Sequence, residues 1–340
     1  MTLEEIAKKM CAKGKGILAA DESTGTMDKR LTSVDVECTD KNRLNFRETL
    51  FTSDAMTKNI GGVILFDATI REKTSTGVSV VELIEKNNSI VGIKVDKWAK
   101  RLAGSPDETI TDGLDGLRER LSEYYKLGAR FTKWRAVYNI GKNYPSVQSI
   151  KSNAQALARY SALVQEANMV PIVEPEVLMD GDHDIDTCHK ATTNVLNECF
   201  NELAVQKVSL KSIVLKPNMV LPGFKSSKKA SSEEIAKKTL DCLKKNVPSD
   251  VPGIAFLSGG QSEQDATNNL DAINKINDTN FLITYSYGRA LQQSALKIWA
   301  KDMSNTKAIH DVFNHRAKMN GLASKGEWSQ ALEAWKNSYI

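Results

Sequence analysis

The segment Ser212-Ile213-Val214-Leu215-Lys216-Pro217 is a short apolar run rich in β-branched residues, and it ends at a lysine followed by proline. Such a run is typical of a buried strand in a parallel sheet. A lysine at its end is partly stripped of water, which disfavours the charged ammonium form. A neutral amine is a nucleophile that condenses with carbonyl compounds to a Schiff base. The alternative is a lysine whose charged end reaches out of a barrel mouth into water.

Similar apolar runs recur along the chain, with longer helical patterns between them. The predicted strands are residues 17–21, 61–66, 90–95, 129–135, 169–174, 212–216, 253–258 and 281–286. Helical patterns include residues 149–166, 185–205 and 231–246. Strands that alternate with helices predict a parallel sheet, and eight such units predict a closed α/β barrel of the (β/α)8 TIM type. An open, doubly wound sheet is the structural alternative.

The length of 340 residues fits either two average domains or one large α/β barrel. Because no linker rich in proline, glycine or serine divides the chain, we expect a single domain over residues 1–340. Residues 302–340 are predicted to form one or two C-terminal surface helices and a short tail. Trp328, Leu332 and Trp335 are expected on one helix face.

Composition and charge are those of an ordinary globular protein, with 41% apolar residues and a net charge of +4. No uncharged apolar run is long enough to span a bilayer. The N-terminus lacks the apolar core of a signal peptide, and Thr2 and Glu5 have the spacing of a helical capping box. We therefore expect a cytoplasmic protein without a membrane partner. The five cysteines show no paired spacing, which favours reduced thiols, and the small net charge does not indicate a nucleic-acid partner.

Charged and small polar residues follow the predicted strands, which is where barrel active sites gather. In chain order they are Asp21, Lys94, Lys133, Arg135, Glu174, Glu176, Lys216, Ser258-Gly259-Gly260 and Ser286-Tyr287-Gly288-Arg289. Ordinary strand-to-helix loops carry capping Ser, Asp or Asn and some glycine, and seldom place so many ionisable groups there. A chance collection of solvated loop charges is the alternative.

Two pairs of residues two positions apart project their side chains to the same side of a strand end. The first pair is Lys133 and Arg135. If Lys133 lies near Lys216, the repulsion between their like charges would favour the neutral amine of Lys216. In the second pair, Glu174 and Glu176, coupled carboxylates are expected to split their pKa values. One would then be able to donate a proton to a departing carbinolamine hydroxyl. Salt bridging to neighbouring lysines is the alternative for the glutamates, and the two interpretations are compatible.

Glycine-containing loops follow the last two predicted strands, at Ser258-Gly259-Gly260 and at Gly288-Arg289. Glycines expose backbone N–H groups, and the N-terminus of the next helix adds a positive dipole. Barrels frequently hold phosphate at this position, and the planar guanidinium of Arg289 can bind phosphate oxygens. The loops therefore predict a phosphate site.

Several motifs that resemble metal or nucleotide sites are incomplete. Residues 180–186 resemble a calcium loop but lack its glycine and its final glutamate. Residues 14–19 match a dinucleotide fingerprint by letter, yet they precede a strand instead of following it. The sequence contains neither a Walker A motif nor a His-Glu-x-x-His motif, and the four histidines have no zinc spacing. We therefore expect a metal-independent mechanism without a cofactor.

Several segments together resemble class I fructose-bisphosphate aldolase over about residues 3–299. They are Gly16-Ile-Leu-Ala-Ala-Asp21-Glu-Ser-Thr-Gly25, Val91-Gly-Ile-Lys94-Val-Asp, Lys133-Trp-Arg135, Val170-Pro-Ile-Val-Glu174-Pro-Glu176, Leu215-Lys216-Pro-Asn-Met-Val220, Phe256-Leu-Ser-Gly-Gly-Gln-Ser262 and Ser286-Tyr-Gly-Arg289. The resemblance implies a (β/α)8 homotetramer of glycolysis that acts on phosphorylated sugars. It would cleave fructose 1,6-bisphosphate reversibly into dihydroxyacetone phosphate and glyceraldehyde 3-phosphate.

The resemblance also implies roles for individual residues. Lys216 would be the Schiff-base lysine, Glu174 the general acid/base with Glu176 as its partner, Asp21 the base for the C4 hydroxyl, and Lys133 a substrate-orienting lysine. The C1-phosphate site would be built by the two glycine loops, namely Ser258, Gly259, Gly288 and Arg289, and Ser286 would also bind substrate. Positions around the other phosphate or the substrate chain would be Ser23, Thr26, Arg30, Arg43, Lys94 and Arg135.

Two positions depart from the family pattern. Thr26 stands where a serine is common, but it keeps the hydroxyl. Many animal members end in a tyrosine that exchanges the C3 proton, whereas Tyr339 here is followed by Ile340 in a shorter tail. Two alternative functions remain at this point: another Schiff-base barrel such as a transaldolase, which would not need two phosphate grips, and a catalytically silent barrel acting as a scaffold.

Overall fold

The computed structural model describes residues 1–334, and a closed barrel of parallel strands lies at its centre. The strands are β1 (Gly16–Ala20), β2 (Ile60–Leu65), β3 (Ile90–Lys94), β4 (Ala99–Leu102), β5 (Ser105–Thr111), β6 (Phe131–Tyr138), β7 (Val170–Val177), β8 (Val214–Leu215), β9 (Gly253–Phe256) and β10 (Leu282–Tyr287). Around the barrel the order is β1-β10-β9-β8-β7-β6-β3-β2, and neighbouring strands are parallel. The predicted (β/α)8 TIM barrel is confirmed, and each predicted strand overlaps an observed one.

Helices connect the barrel strands and surround them. They are α1 (Leu3–Met10), α2 (Thr24–Thr32), α3 (Asp40–Phe51), α4 (Asp54–Lys58), α5 (Asp67–Ile70), α6 (Val80–Lys86), α7 (Leu117–Lys126), α8 (Val147–Glu166), α9 (Ile185–Val205), α10 (Ser232–Asn246), α11 (Glu263–Lys275), α12 (Arg289–Lys301), α13 (Thr306–Ala323) and α14 (Gln330–Glu333). Helix α9 has the predicted bounds, and α8 and α10 match theirs within two residues. The capping box of Thr2 and Glu5 is present at the start of α1.

The barrel interior is an apolar stack built from alternate residues of the strands. Its members are Ile17, Ala19, Ile64, Ile90, Phe131, Val170, Ile172, Val214 and Ala255. Helix α1 closes the amino-terminal end of the barrel, since its residues Ile6, Ala7 and Met10 join the same cluster. Because side chains alternate along a strand, the inward series continues beyond the apolar residues into charged ones: Ile17 and Ala19 lead to Asp21, and Val214 leads to Lys216.

The antiparallel hairpin of β4 and β5 was not predicted. It follows β3, and its strands pair in the register Ala99 with Thr111 and Lys100 with Ile110. Most of β4 is exposed and carries Lys100 and Arg101, so its sequence lacks the alternation of a half-buried strand. Its strand conformation depends on pairing with β5.

The C-terminal helices pack against the outside of the barrel. Helix α13 buries Ile309, Val312 and Phe313 and contacts α11 and α12. Trp328 precedes α14 and is buried, with its indole N–H donating to Glu333 Oε1 at 2.9 Å. Leu332 is largely exposed, so the prediction that Trp328 and Leu332 share one face is wrong.

Trp335, the third residue of that predicted face, lies outside the described residues. The assignment of residues 1–340 to a single domain stays a prediction. Within residues 1–334, none of the helices combines the length and the apolar character needed to cross a bilayer.

Candidate active site

A cavity of about 520 Å³ opens at the carboxyl ends of the barrel strands. The predicted site residues that line it are Asp21, Ser23, Thr26, Arg30, Lys94, Lys133, Arg135, Glu174, Glu176, Lys216, Ser258, Gly259, Ser286, Gly288 and Arg289. The cavity size suits a small polar metabolite. The predicted strand ends therefore converge on one site.

Lys216 lines this cavity and is only 4% exposed. Its backbone N–H donates to the carbonyl of Val173 at 2.8 Å, which fixes it against β7. Its amine Nζ lies 3.1 Å from Glu174 Oε1. This contact is short enough to pass a proton from the ammonium to the carboxylate, leaving a nucleophilic amine.

Lys133 forms the second cationic centre and contacts two carboxylates. Its Nζ lies 2.8 Å from Asp21 Oδ2 and 3.4 Å from Glu174 Oε2. Burial alone would lower the pKa of Lys133, but the charges of Asp21 and Glu174 outweigh it and raise the pKa above its ordinary value. Lys133 therefore stays cationic and serves as a fixed positive charge.

Asp21 is held as a carboxylate by the same cluster. Burial on its own would raise the pKa of Asp21, but Lys133, Lys216 and Lys94 together lower it to about 2. The side chain is ionised at neutral pH and can accept a proton from a substrate hydroxyl.

The two glutamates of β7 do not behave as the coupled pair that the sequence suggested. Burial would raise the pKa of Glu174, yet Lys216, Lys133 and Arg135 lower it overall. Glu176 instead accepts a hydrogen bond from Arg135 Nε. The expectation of a resting acid created by carboxylate repulsion is thus wrong for Glu174, because each glutamate has its own cationic partner. Salt bridging to lysines, the alternative, is what the structure shows for Glu174, whereas Glu176 pairs with an arginine.

Cationic groups lie at two opposite sides of the mouth. Strands β9 and β10, which precede the glycine loops, lie across the barrel from β6 and β3, which carry Arg135 and Lys94. Lys94 Nζ contacts Asp96 Oδ1 at 2.8 Å. A substrate with an anionic group at each end would span the mouth over Lys216.

The glycine loops present backbone N–H groups at the first of these sides. Gly259 and Gly260 both have left-handed backbone conformations, with φ of 58° and 92°, which favour glycine. Gly288 precedes Arg289, the first residue of α12, and so lies at a helix N-terminus. The hydroxyl of Ser286 is buried without a hydrogen-bond partner among the described residues. A bound phosphate would supply that partner.

Arg30 lies closer to this first side than the resemblance indicated. A Cβ added at Gly288 would be 3.2 Å from Arg30 Nη2, so the guanidinium lies directly beside the loop. The carboxylate of Glu22 accepts from Arg30 Nη1 and from Gln292 Nε2, the latter at 3.3 Å. Glu22 therefore fixes Arg30 beside the loop at Gly288.

Among the described residues, one predicted site residue, Arg43, is not brought into the cavity. The guanidinium of Arg43 contacts the carboxylate of Asp40 and the carbonyl of Cys38, and Arg43 does not line the cavity. Helix α3 holds it against the preceding loop instead. Tyr339 lies outside the described residues.

The cavity also contains residues that the sequence analysis did not assign to the site. Glu22 and Asp96 line it and hold Arg30 and Lys94 respectively. Glu22 directly follows Asp21, and Asp96 lies two positions after Lys94. This proximity to predicted site residues could have identified both of them from the sequence. Trp98 and Phe224 also line it, and no motif or periodicity marked them.

Among residues 1–334 there is no group of three or more histidine, cysteine, aspartate or glutamate residues placed to hold a metal ion. The carboxylates of the cavity instead pair with lysines and arginines. The charged side chains of the cavity are therefore arranged as ion pairs.

Comparisons with known proteins agree with this geometry. The sequence model of the family described as fructose-bisphosphate aldolase class-I matches residues 2–339. A probable fructose-bisphosphate aldolase class 1 from Xanthomonas campestris pv. campestris is 50% identical over 327 residues, covering 96% of this chain and 98% of its own. The cytoplasmic isozyme 1 of fructose-bisphosphate aldolase from Pisum sativum is 50% identical over 323 residues, covering 95% and 90%.

The fold is similar to that of a solved Plasmodium falciparum protein. That structure is a fructose-bisphosphate aldolase in complex with TRAP and a small-molecule inhibitor. The TM-score is 0.95 at 43% identity, covering 96% of this chain and 95% of the other.

Proposed function

The chain belongs to the class I fructose-bisphosphate aldolase family, and from this premise we propose that Lys216 is its Schiff-base residue. The enzyme cleaves fructose 1,6-bisphosphate reversibly into dihydroxyacetone phosphate and glyceraldehyde 3-phosphate, as a lyase of glycolysis. The observation that carries the residue assignment is the contact of 3.1 Å between Lys216 Nζ and Glu174 Oε1 in the buried mouth.

Glu174 is proposed to move the protons of imine formation. It accepts a proton from the Lys216 ammonium, and the amine attacks the C2 carbonyl of the open-chain sugar to give a carbinolamine. Protonated Glu174 then returns its proton to the carbinolamine hydroxyl, which leaves as water. The product is a protonated imine, and Glu174 is again a carboxylate. Lys133, fixed at 3.4 Å from Glu174, stabilises that carboxylate.

Asp21 is proposed to take the C4 hydroxyl proton in the cleavage step. As the proton leaves, the C3–C4 bond breaks, and its electron pair moves into the protonated imine to give an enamine. Glyceraldehyde 3-phosphate departs as the aldehyde. Protonation of the enamine at C3 and hydrolysis of the imine release dihydroxyacetone phosphate. The assignment of the C3 proton to Tyr339 rests on the resemblance alone and stays a proposal.

The two phosphates are proposed to bind at the opposite sides of the mouth. The C1 phosphate would be held by Ser258, Gly259, Ser286, Gly288 and Arg289, with Arg30 beside them. The other phosphate would be held by Lys94 and Arg135, with the hydroxyls of Ser23 and Thr26 near the substrate. Fixing both ends of the sugar places C2 over Lys216, so binding energy is used for orientation.

A trapping experiment tests the assignment of Lys216. Borohydride added with fructose 1,6-bisphosphate reduces the imine, and peptide mass spectrometry should find a substrate-derived mass on Lys216. Lys216→Arg, which keeps the positive charge, should give no adduct and no cleavage. An adduct on another lysine would reject the assignment. In the same assay, cleavage that persists in EDTA supports the metal-independent mechanism, whereas loss on chelation contradicts it.

We also propose a cytoplasmic location and a homotetrameric assembly. The location is supported by the name of the pea relative, a cytoplasmic isozyme. The assembly rests on family resemblance, and sedimentation equilibrium of the full chain would test it. The family match and the two proposed phosphate-binding sites favour aldolase activity over that of a transaldolase or the role of a catalytically silent scaffold.

A further inference from the structure

Trp98 lies where a tryptophan is conformationally and energetically unfavourable. Its φ is 66°, in the left-handed region that bulky side chains rarely adopt. The residue is 53% exposed, so burial of the indole does not explain its presence. Strained residues of this kind persist where the surrounding structure holds them, and they cluster at ligand sites.

The backbone around Trp98 is held on both sides. Its N–H donates to Asp96 Oδ1 at 3.4 Å, and its carbonyl accepts from the N–H of Asp112 at 3.1 Å. Asp112 follows β5, so the base of the hairpin fixes the left-handed conformation. The indole is thereby directed to one place at the cavity edge.

The indole separates two hollows of the surface. Trp98 lines the catalytic cavity and also a neighbouring hollow of about 690 Å³ that includes Lys100 and Asp112. Lys94 Nζ lies 5.7 Å from the ring centroid, and Lys100 Nζ lies 5.9 Å from it. These distances are within the range of cation–π attraction. The ring therefore borders the Lys94 side of the catalytic cavity and contacts the cation there.

We propose that Trp98 is a specificity-determining residue: its ring shields the Lys94 side of the cavity from water and favours sugar bisphosphates over monophosphates. This inference rests on the proposed function, in which Lys94 and Arg135 hold the phosphate remote from the glycine loops. Excluding water beside Lys94 strengthens its attraction to a phosphate, because the local dielectric falls. A sugar that lacks the second phosphate gains no affinity from the exclusion of water beside Lys94.

The test measures binding without chemistry, using two sugar alcohols that lack the reactive carbonyl. Calorimetry compares hexitol 1,6-bisphosphate with hexitol 1-phosphate, in the wild-type protein and in Trp98→Gly. Glycine removes the ring and accepts the left-handed backbone, so folding is preserved. We expect the affinity for the bisphosphate to fall about three- to tenfold, with the affinity for the monophosphate changed less than about twofold.

Two variants serve as controls. Trp98→Phe keeps an aromatic ring and should retain most of the preference for the bisphosphate. Lys207→Gly replaces another non-glycine residue with a left-handed backbone, at φ of 56°, and does not line the catalytic cavity. It should leave both affinities unchanged. An equal loss for both ligands in Trp98→Gly, or no loss, would overturn the inference.

The proposed function is checked separately in the same preparation. Cleavage of fructose 1,6-bisphosphate by the wild-type enzyme tests that function, whereas the ratio of the two affinities tests Trp98. A protein that cleaves normally but shows the same ratio in Trp98→Gly refutes only the role of Trp98. A protein that does not cleave refutes the proposed function, and the affinity ratio still decides whether the ring favours the second phosphate.

Discussion

At the scale of single residues, the site is defined by which cation faces which carboxylate. Glu174 lies between Lys216 and Lys133, with one carboxylate oxygen directed at each amine. Asp21 also pairs with Lys133 Nζ, at 2.8 Å. This arrangement supports the proposal that Glu174 moves the protons of imine formation and that Asp21 takes the proton of the sugar hydroxyl. In this proposal the two carboxylates act at different steps.

Replacing each carboxylate by its amide should separate the two steps. In Asp21→Asn, cleavage of fructose 1,6-bisphosphate should fall about 10²- to 10⁴-fold, because the base for the C4 hydroxyl is lost. Borohydride should still trap the sugar on Lys216, because Glu174 is intact. In Glu174→Gln, trapping itself should become slow. Normal cleavage by Asp21→Asn would contradict this division of roles. So would the absence of a trapped adduct in both variants.

At the scale of elements, the barrel interior is filled by matching a large side chain to glycines on adjacent strands. A Cβ added at Gly92 on β3 would lie 2.2 Å from ring carbons of Phe131 on β6, and one at Gly62 on β2 would lie 3.0 Å away. Phe131 is fully buried. The glycines of β2 and β3 are therefore required for packing, not for a special backbone conformation.

The substitution Gly92→Ala should destabilise the barrel. The added methyl group would displace the Phe131 ring, and overpacking of this kind costs about 1–3 kcal/mol. Gly25→Ala is the matched control, because nothing lies within 4 Å of the added Cβ. It lies in α2, where alanine is a better helix former, and should leave stability unchanged or raise it by up to about 1 kcal/mol. Urea unfolding measures both, and equal effects would refute the packing argument.

At the scale of the whole molecule, the charged cluster links global stability to pH. The native pKa of Asp21 is about 2, below the ordinary 3.8, so the unfolded chain takes up its proton first as the pH falls. The stabilisation is present in full above about pH 4 and is lost as the pH falls through about 2. A shift of this size corresponds to about 2 kcal/mol.

Acid unfolding of the wild-type protein and Asp21→Asn should show this difference. The free energy of unfolding, from urea titrations at a series of pH values, should fall more steeply below pH 4 in the wild type. The variant lacks the group and should lose about 2 kcal/mol less over that range. Parallel curves for the two proteins would show that Asp21 is not held ionised by the cluster.

The sequence predicted the barrel because its signal is local and repeated. Each strand is a short apolar run, and each helix has its own period and cap, so small errors at the ends of elements did not change the architecture. The hairpin of β4 and β5 was missed because β4 has no buried face of its own. The placement of Trp328 and Leu332 on one face failed because α14 begins only after Trp328.

The sequence by itself determined that Asp21, Lys133, Glu174 and Lys216 would meet at the barrel mouth. Alternation along a strand continues the interior apolar series into these charged residues, and parallel strands end at the same face. Only the tertiary structure decided the partners: Glu174 with two lysines, Glu176 with Arg135, and Arg30 beside Gly288. It also placed Trp98 at the cavity and Arg43 outside it. Such pairings depend on barrel closure and on loops that cross between strands. The alternation of residues within one strand therefore cannot predict them.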